Sequence, residues 1–211
     1  MNRLGALLAS VPPGSRVADI GTDHGALPLR LAESGRASFC VATELSAERL
    51  RRAARPPAGA PWAERIAYRF GDGLAAVRPE DRIDTVVVAG LGGRTIVRVL
   101  TAPDLALLAP ARLVLQPRTE EAAVRAWLSR AGWRLAAERV SVERGRAHVT
   151  LVAALGDDGD LYRHDALGRD DLLAAGPHLV RSGEGAVEAW WRRERARLEA
   201  ILARAAGTEP G

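Results

Sequence analysis

Arg16-Val17-Ala18-Asp19-Ile20-Gly21-Thr22-Asp23-His24-Gly25-Ala26-Leu27-Pro28 is the stretch whose reading decides the fold. An apolar run with β-branched Val17 and Ile20 breaks at Gly21 and then enters the helical pattern Leu27, Leu29, Leu31, Ala32, while Asp19 and Asp23 flank the break. That is the pattern of a buried strand, a tight turn and a helix. In a parallel sheet such a turn lies at the carboxyl end of the strand, where open α/β sheets bind ligands. Gly21 lets the backbone approach a bound molecule and Gly25 relieves crowding where the helix starts.

The turn is not the dinucleotide fingerprint, because G-x-G-x-x-G needs a second glycine at position 23 and that residue is Asp. A carboxylate there repels a pyrophosphate, so the cradle suits a neutral or cationic ligand. S-adenosylmethionine, with its sulfonium and α-ammonium, is one such ligand.

The chain has 211 residues, 47% of them hydrophobic, enough for one full core and a small appendage. No apolar run approaches the ~20 residues that span a bilayer. The segment Met1 to Val11 carries only Arg3 ahead of a short Leu/Ala helix and reads as no signal peptide. The single cysteine, Cys40, excludes an intramolecular disulfide and a cysteine-built metal site. Its place in Phe39-Cys40-Val41 reads as a core thiol rather than a nucleophile. A cytoplasmic, metal-free monomer is expected. All 30 basic residues are arginine; residues 1–155 hold 22 of them against 15 Asp and Glu, and residues 156–211 hold 8 against 11. A basic body beside a mildly acidic tail permits a polyanionic partner on the body, although a solvated charged surface accounts for the charge equally well.

Outward from the opening turn, residues 2–10 read as an amphipathic helix ended by Pro12-Pro13-Gly14. Strands are expected at 38–44, 66–70, 83–89 and 113–115. Helices are expected at 46–55, with Ser46 as N-cap, at 95–100, and after Thr119 as N-cap. Trp133 to Val142 and Ala147 to Ala154 read as a hairpin. Strands alternating with helices over short connections predict an α/β fold, a doubly wound, mostly parallel sheet with an antiparallel C-terminal hairpin. Composition shifts near Gly156, which divides a sheet domain, residues 1–155, from a small helical extension, residues 156–211. In that extension 184–206 has one apolar stripe containing Trp190 and Trp191.

Four strands end alike: Asp19-Ile20-Gly21, Glu44, Asp72-Gly73 and Gly90-Leu91-Gly92-Gly93. An acid ending the second strand is placed to accept hydrogen bonds from ribose hydroxyls, and Asp72 to accept from an adenine amino group. For each acid singly, a cap or turn role competes; their falling together at one sheet edge favours a site.

Ala18-Asp19-Ile20-Gly21-Thr22-Asp23-His24-Gly25, Arg69-Phe70-Gly71-Asp72-Gly73-Leu74, Ala89-Gly90-Leu91-Gly92-Gly93 and Leu113-Val114-Leu115-Gln116-Pro117 together resemble the bacterial tRNA (adenine-22-N1)-methyltransferases, the TrmK family. Gly176-Pro177 before a charged helix is similar to that family's C-terminal part. The resemblance implies a Rossmann-like class I methyltransferase using S-adenosyl-L-methionine on tRNA. It implies Asp19 and Gly21 under the methionine end, Glu44 with Leu45 at the ribose, Asp72 with Gly73 at the cofactor adenine, and Ala89-Gly90 bordering cofactor and substrate. Asp23 matches the carboxylate proposed to assist methylation. His24 beside it reads as structural or substrate-orienting, since methylation at N1 leaves a base little to do. The chain departs from the family pattern at Leu91, where Met is usual, at Arg118, where Asn is usual, and in a shorter C-terminal extension. Arg94, Arg98, Arg118 and Arg125 follow strand ends and are candidates for phosphate contact, Arg94 and Arg118 foremost. A small-molecule methyltransferase and a non-catalytic RNA- or cofactor-binding module are the competing functional readings.

Overall fold

The computed structural model describes residues 1–182 together with Glu188, Trp191, Arg192 and Arg195. Its seven-stranded sheet has the order β3-β2-β1-β4-β5-β7-β6. The strands are β1 (Ser15–Ile20), β2 (Ala37–Glu44), β3 (Ile66–Phe70), β4 (Thr85–Ala89), β5 (Arg112–Gln116), β6 (Trp133–Glu143) and β7 (Arg146–Leu155). The first five are parallel, whereas β7 lies antiparallel between β5 and β6. The expected strands are therefore present, with ends within two residues of the sequence reading.

Both faces of the sheet are covered because successive side chains of a strand point to opposite faces. Val17, Cys40, Val87 and Val114 meet Leu7 of α1 (Arg3–Ser10) and Leu27 and Leu31 of α2 (Ala26–Glu33). Ala18, Val41, Val86, Val88, Leu113 and Leu115 meet the opposite layer, which includes Ile96 and Leu100 of α4 (Gly93–Thr101) and Val124 and Leu128 of α6 (Glu121–Arg130). The short helices α3 (Ala47–Arg52) and α5 (Pro103–Leu108) complete the crossovers. Ser46 caps α3 as expected, its hydroxyl accepting from Arg49 N at 3.2 Å.

The chain passes from β1 to β2 and β3 on one side, then returns to place β4 on the other side of β1. The carboxyl ends of β1 and β4 therefore flank a topological switch point, where such sheets hold ligands. At the other edge, Leu115 pairs with Leu151, so residues 146–149 of β7 run past the end of β5 and overhang the carboxyl edge.

Two expectations are corrected. The N-cap of α6 is Glu120, at φ +64° and without a side-chain capping bond, rather than Thr119; the Thr119 carbonyl instead accepts from Gly93 N at 2.9 Å. Arg125, expected on the surface, is fully buried. Its Nε donates to Glu138 Oε1 at 2.7 Å, and its Nη1 donates to the carbonyls of Leu173 and Ala174 at 2.7 and 3.1 Å. Glu138 Oε2 accepts from His178 N at 2.9 Å. This network docks α7 (Arg169–Ala175) and α8 (Pro177–Ser182) onto α6 and β6. Trp191 adds a bond from its indole N–H to the Ala175 carbonyl at 3.3 Å. Of the helix expected over 184–206, Glu188, Trp191, Arg192 and Arg195 are described and helical, and the rest, with Trp190, lies outside the described residues.

Candidate active site

Because β1 to β4 run parallel and in near register, their last residues and those just beyond them lie at one edge: Asp72, Glu44, Asp19 to Gly21, then Ala89 and Gly90. The row is a consequence of chain direction, since every strand in it ends at the same edge.

Asp19 is 4% exposed, and burial pushes its carboxyl up to about 6. The Thr22 hydroxyl and the Arg3 charge hold it lower than burial alone would, and Glu44 raises it. A carboxyl whose folded value lies above its unfolded value of 3.8 contributes stability that is fully present below pH 3.8 and is lost as pH rises through about 6. The shift corresponds to about 3 kcal/mol. Urea unfolding of the native chain and of Asp19→Asn at pH 4 and pH 7 should therefore show the native chain losing about that much relative to the variant. A pH-independent difference would refute the burial of a titrating carboxyl here.

Glu44 is 6% exposed and held from two sides: its Oε2 accepts from Asp23 N at 3.2 Å and its Oε1 from Ser46 N at 2.9 Å. Each oxygen retains a lone pair for a hydroxyl donor, and two backbone donors hold the carboxylate in place before any ligand arrives. Leu45 beside it is 61% exposed. Asp72 is exposed at the end of β3, and among the described residues its carboxylate accepts no hydrogen bond. Gly73 follows it with φ +56°.

The β1–α2 turn folds under β2, Gly21 N and Thr22 N both donating to the Thr43 carbonyl at 3.0 and 2.9 Å. The helix N-cap is Gly25 and not Asp23, so Asp23 has no capping task. Asp23 instead sits at φ +50°, a left-handed conformation that costs most residues but that Asp adopts more readily than most. Its side chain is half exposed, and its Oδ2 lies 3.4 Å from His24 Nε2, on an imidazole that is almost fully exposed. Leu91 lines the cradle, its Cδ1 standing 3.9 Å from where a Cβ on residue 21 would lie.

Arg94 pairs with Glu120 across the mouth at 2.7 Å and is 86% exposed. Arg118, exposed, donates its backbone N–H to the Leu91 carbonyl at 2.8 Å, and its guanidinium pairs with no acid among the described residues. Burial and the charges of Arg3, Arg146 and Arg118 lower the pKa of His148, which marks a local excess of cations beneath the overhanging hairpin.

One residue at this edge, Arg3, lies outside every motif of the sequence. Arg3 donates from Nε to Gln116 Oε1 at 2.7 Å, and Gln116, 1% exposed, donates from Nε2 to Thr150 Oγ1 at 2.8 Å. A lone arginine ahead of a leucine-rich helix looks like a solvated end, and nothing within α1 reveals the strand ends it reaches. Among the described residues no group of three or more His, Cys, Asp or Glu is placed to hold a metal ion, and no helix is long and apolar enough to cross a membrane.

Five parallel strands, an antiparallel β7 slotted inside β6, and a row of acids at the switch point define a Rossmann-like methyltransferase domain. The crystal structure of Bacillus subtilis TrmK, a tRNA methyltransferase, superposes with a TM-score of 0.84 at 28% identity, over 99% of this chain and 88% of that one. Residues 17–209 match the model of the TrmK family, tRNA (adenine(22)-N(1))-methyltransferase, and the chain belongs to that family. A Bacillus subtilis (strain 168) protein of that name is 30% identical over 210 residues, 98% of this chain and 87% of the relative. A Streptococcus pneumoniae protein assigned as a tRNA (m1A22) methyltransferase, solved with S-adenosyl-L-methionine, is 29% identical with a TM-score of 0.82, over 95% of this chain and 91% of that one.

Proposed function

We propose that the chain transfers the methyl group of S-adenosyl-L-methionine to N1 of adenine 22 in tRNA. The observation that carries this reading is the row of acids at the switch point, set in a chain of the TrmK family. The cofactor supplies an electrophilic methyl on a sulfonium. Glu44, held by two backbone donors, is oriented to accept from ribose hydroxyls, with Leu45 beside it. Asp72, whose carboxylate has no competing donor among the described residues, is available to an adenine amino group, and Gly73 leaves room beside it. Asp19, Gly21, Ala89 and Gly90 form the floor under the methionine end. A carboxylate on Asp19 suits an α-ammonium; a pyrophosphate would be repelled.

Adenine N1 carries a free lone pair at neutral pH, so alignment rather than deprotonation is the task. Positive charge grows on the adenine ring as N1 is alkylated; Asp23, whose side chain is half exposed, stabilises it and accepts from N6. His24 orients the substrate or Asp23. N1 lies on the Watson–Crick edge, so the target base must be unpaired or turned out of its stack. Arg118 and the overhanging segment 146–149 form the wall that its flanking phosphates meet, and Arg94 reaches them on exchange with Glu120. Residues 156–211 act as an accessory to the catalytic body. The enzyme works as a cytoplasmic monomer without a metal.

Labelled S-adenosyl-L-methionine offered with total tRNA, and separately with a metabolite extract, tests the reading. Label should enter tRNA and map to N1 of one adenine; label only in the extract would establish a small-molecule methyltransferase instead. Replacing Glu44 or Asp72 by Ala should weaken cofactor binding by about 1–3 kcal/mol, the loss of a charge-assisted hydrogen bond. Calorimetry showing native affinity in both variants would remove these acids from the site.

A further inference from the structure

Ala54 belongs to neither a helix nor a strand, yet the β1–α2 turn closes against it. α3 ends at Arg52, and Ala53, at φ −57° and ψ 134°, leads the chain out of the helix. Ala54 N then donates to the His24 carbonyl at 2.9 Å. A Cβ on residue 25 would lie 3.1 Å from both Ala54 N and Ala54 O, so glycine is what admits so close a contact; Gly25 also has φ +72°.

The turn is thereby held from two sides. On the β2 side, Gly21 N and Thr22 N donate to the Thr43 carbonyl and Asp23 N donates to Glu44 Oε2. On the α3 side the tie is the bond from Ala54 N to His24. Thr43 and Glu44 are fixed by the ladder of β2 with β3, whereas Ala54 lies outside any regular element and needs an anchor of its own. Tyr68 supplies it, its hydroxyl donating to the Ala54 carbonyl at 2.8 Å. Arg55 lies over the Tyr68 ring, its Cζ 3.7 Å from the ring centre, and donates to the carbonyls of Leu50 and Ala53 at 2.9 and 3.4 Å, which ties the same segment to the end of α3. Tyr68 is itself set in β3, paired with Ala42. A line of hydrogen bonds thus runs from the sheet through Ala54 to His24, and Asp23 is the next residue. Asp23 needs such support, because its φ of +50° persists only where the surroundings impose it. Its half-exposed carboxylate meets His24 alone among the described charged residues, so the backbone of the turn sets its direction.

We propose that Tyr68 is a positioning residue for methyl transfer: through Ala54 and His24 its hydroxyl fixes the turn and with it the direction in which Asp23 faces. The proposal rests on the role given to Asp23 above. A Tyr68 that only packs α3 onto β3 would contribute stability and have no link to Asp23.

A double-substitution cycle on the full chain separates these accounts: Tyr68→Phe, Asp23→Asn and the two together, read by single-turnover methylation of tRNA and by calorimetry with S-adenosyl-L-methionine. Phe keeps the ring beneath Arg55 and removes only the oxygen, and urea unfolding checks that the chain stays folded. Tyr68→Phe should slow methylation about tenfold, a part of the roughly 100-fold that a displacement of about 1 Å can cost. Cofactor affinity, and the tRNA concentration giving half the maximal rate, should stay within about twofold of native. In the Asp23→Asn chain the same substitution should cost less than about twofold, since the charge whose direction Tyr68 sets is already gone. A Tyr68→Phe chain at the native rate, or one that loses the same factor with and without Asp23, overturns the positioning role and leaves the reading of Asp23 intact. Cofactor affinity that falls as much as the rate overturns it too, and puts the hydroxyl behind Glu44 and the cofactor pocket. An Asp23→Asn chain at the native rate overturns the reading of Asp23 and the proposal together.

Discussion

Glu138→Ala should lower the unfolding free energy by about 3–5 kcal/mol, the cost of leaving one member of a buried ion pair without its partner. Arg125 and Glu138 are both fully buried, 2.7 Å apart. Arg125 also donates to two carbonyls of α7, and Glu138 accepts from the first turn of α8. Removing the carboxylate strands the guanidinium and frees His178 N at once, so the damage exceeds that of a surface pair, which is worth about 0–1 kcal/mol. Replacing both residues together, Arg125→Met with Glu138→Leu, should cost less than Glu138→Ala alone, because no charge is then left buried. Urea unfolding of the three chains decides the matter, and a single substitution costing under about 1 kcal/mol would show that the pair is open to water. The same variant bears on function, since the network fixes α7 and α8 to the catalytic body: tRNA methylation should suffer more than cofactor binding.

Asp23→Asn should reduce turnover by about 100-fold, the usual cost of losing one preorganised electrostatic group at the point where charge develops. Asn tolerates the left-handed φ of +50° and keeps the backbone N–H that donates to Glu44, so the substitution removes charge with little change of shape. Cofactor affinity should stay within about twofold, because the carboxylate is proposed to face the methylated ring. Single-turnover methylation of tRNA beside calorimetry with S-adenosyl-L-methionine separates the two effects. A variant that loses cofactor affinity and keeps its rate per bound complex would move Asp23 to the cofactor's anchoring groups.

The arrangement also gives reasons for the two departures at the site. Leu91 faces the cradle from 3.9 Å at residue 21 with a side chain close to Met in volume, a change that cores generally tolerate. Arg118 adds a cation at the mouth, beneath the hairpin, where a polyanion would pass.

By itself the sequence determined the alternation of strands and helices and the residues at which strands stop. Both are local: a buried strand is a short apolar run, and it ends where Gly or Asp allows a turn. Because parallel strands all end at one edge, reading where each stops was enough to bring Asp19, Glu44, Asp72 and Gly90 together on paper. Helix caps were legible only where the side chain makes the bond, as at Ser46. At α6 the start is decided by backbone packing of Thr119 and Glu120 against Gly93, so composition pointed one residue early.

Only the tertiary structure decided the fate of long polar side chains. An arginine in a helix reads as solvated because burial of its charge is costly, and Arg125 is buried only because Glu138, on the next strand, and two carbonyls nearly fifty residues away neutralise it together. Arg3 follows the same rule across a greater distance, with its partner Gln116 at a separation of 113 residues. No window along the chain contains both ends of either contact, and in each case it is the fold that supplies the opposing charge or dipole making the position tolerable.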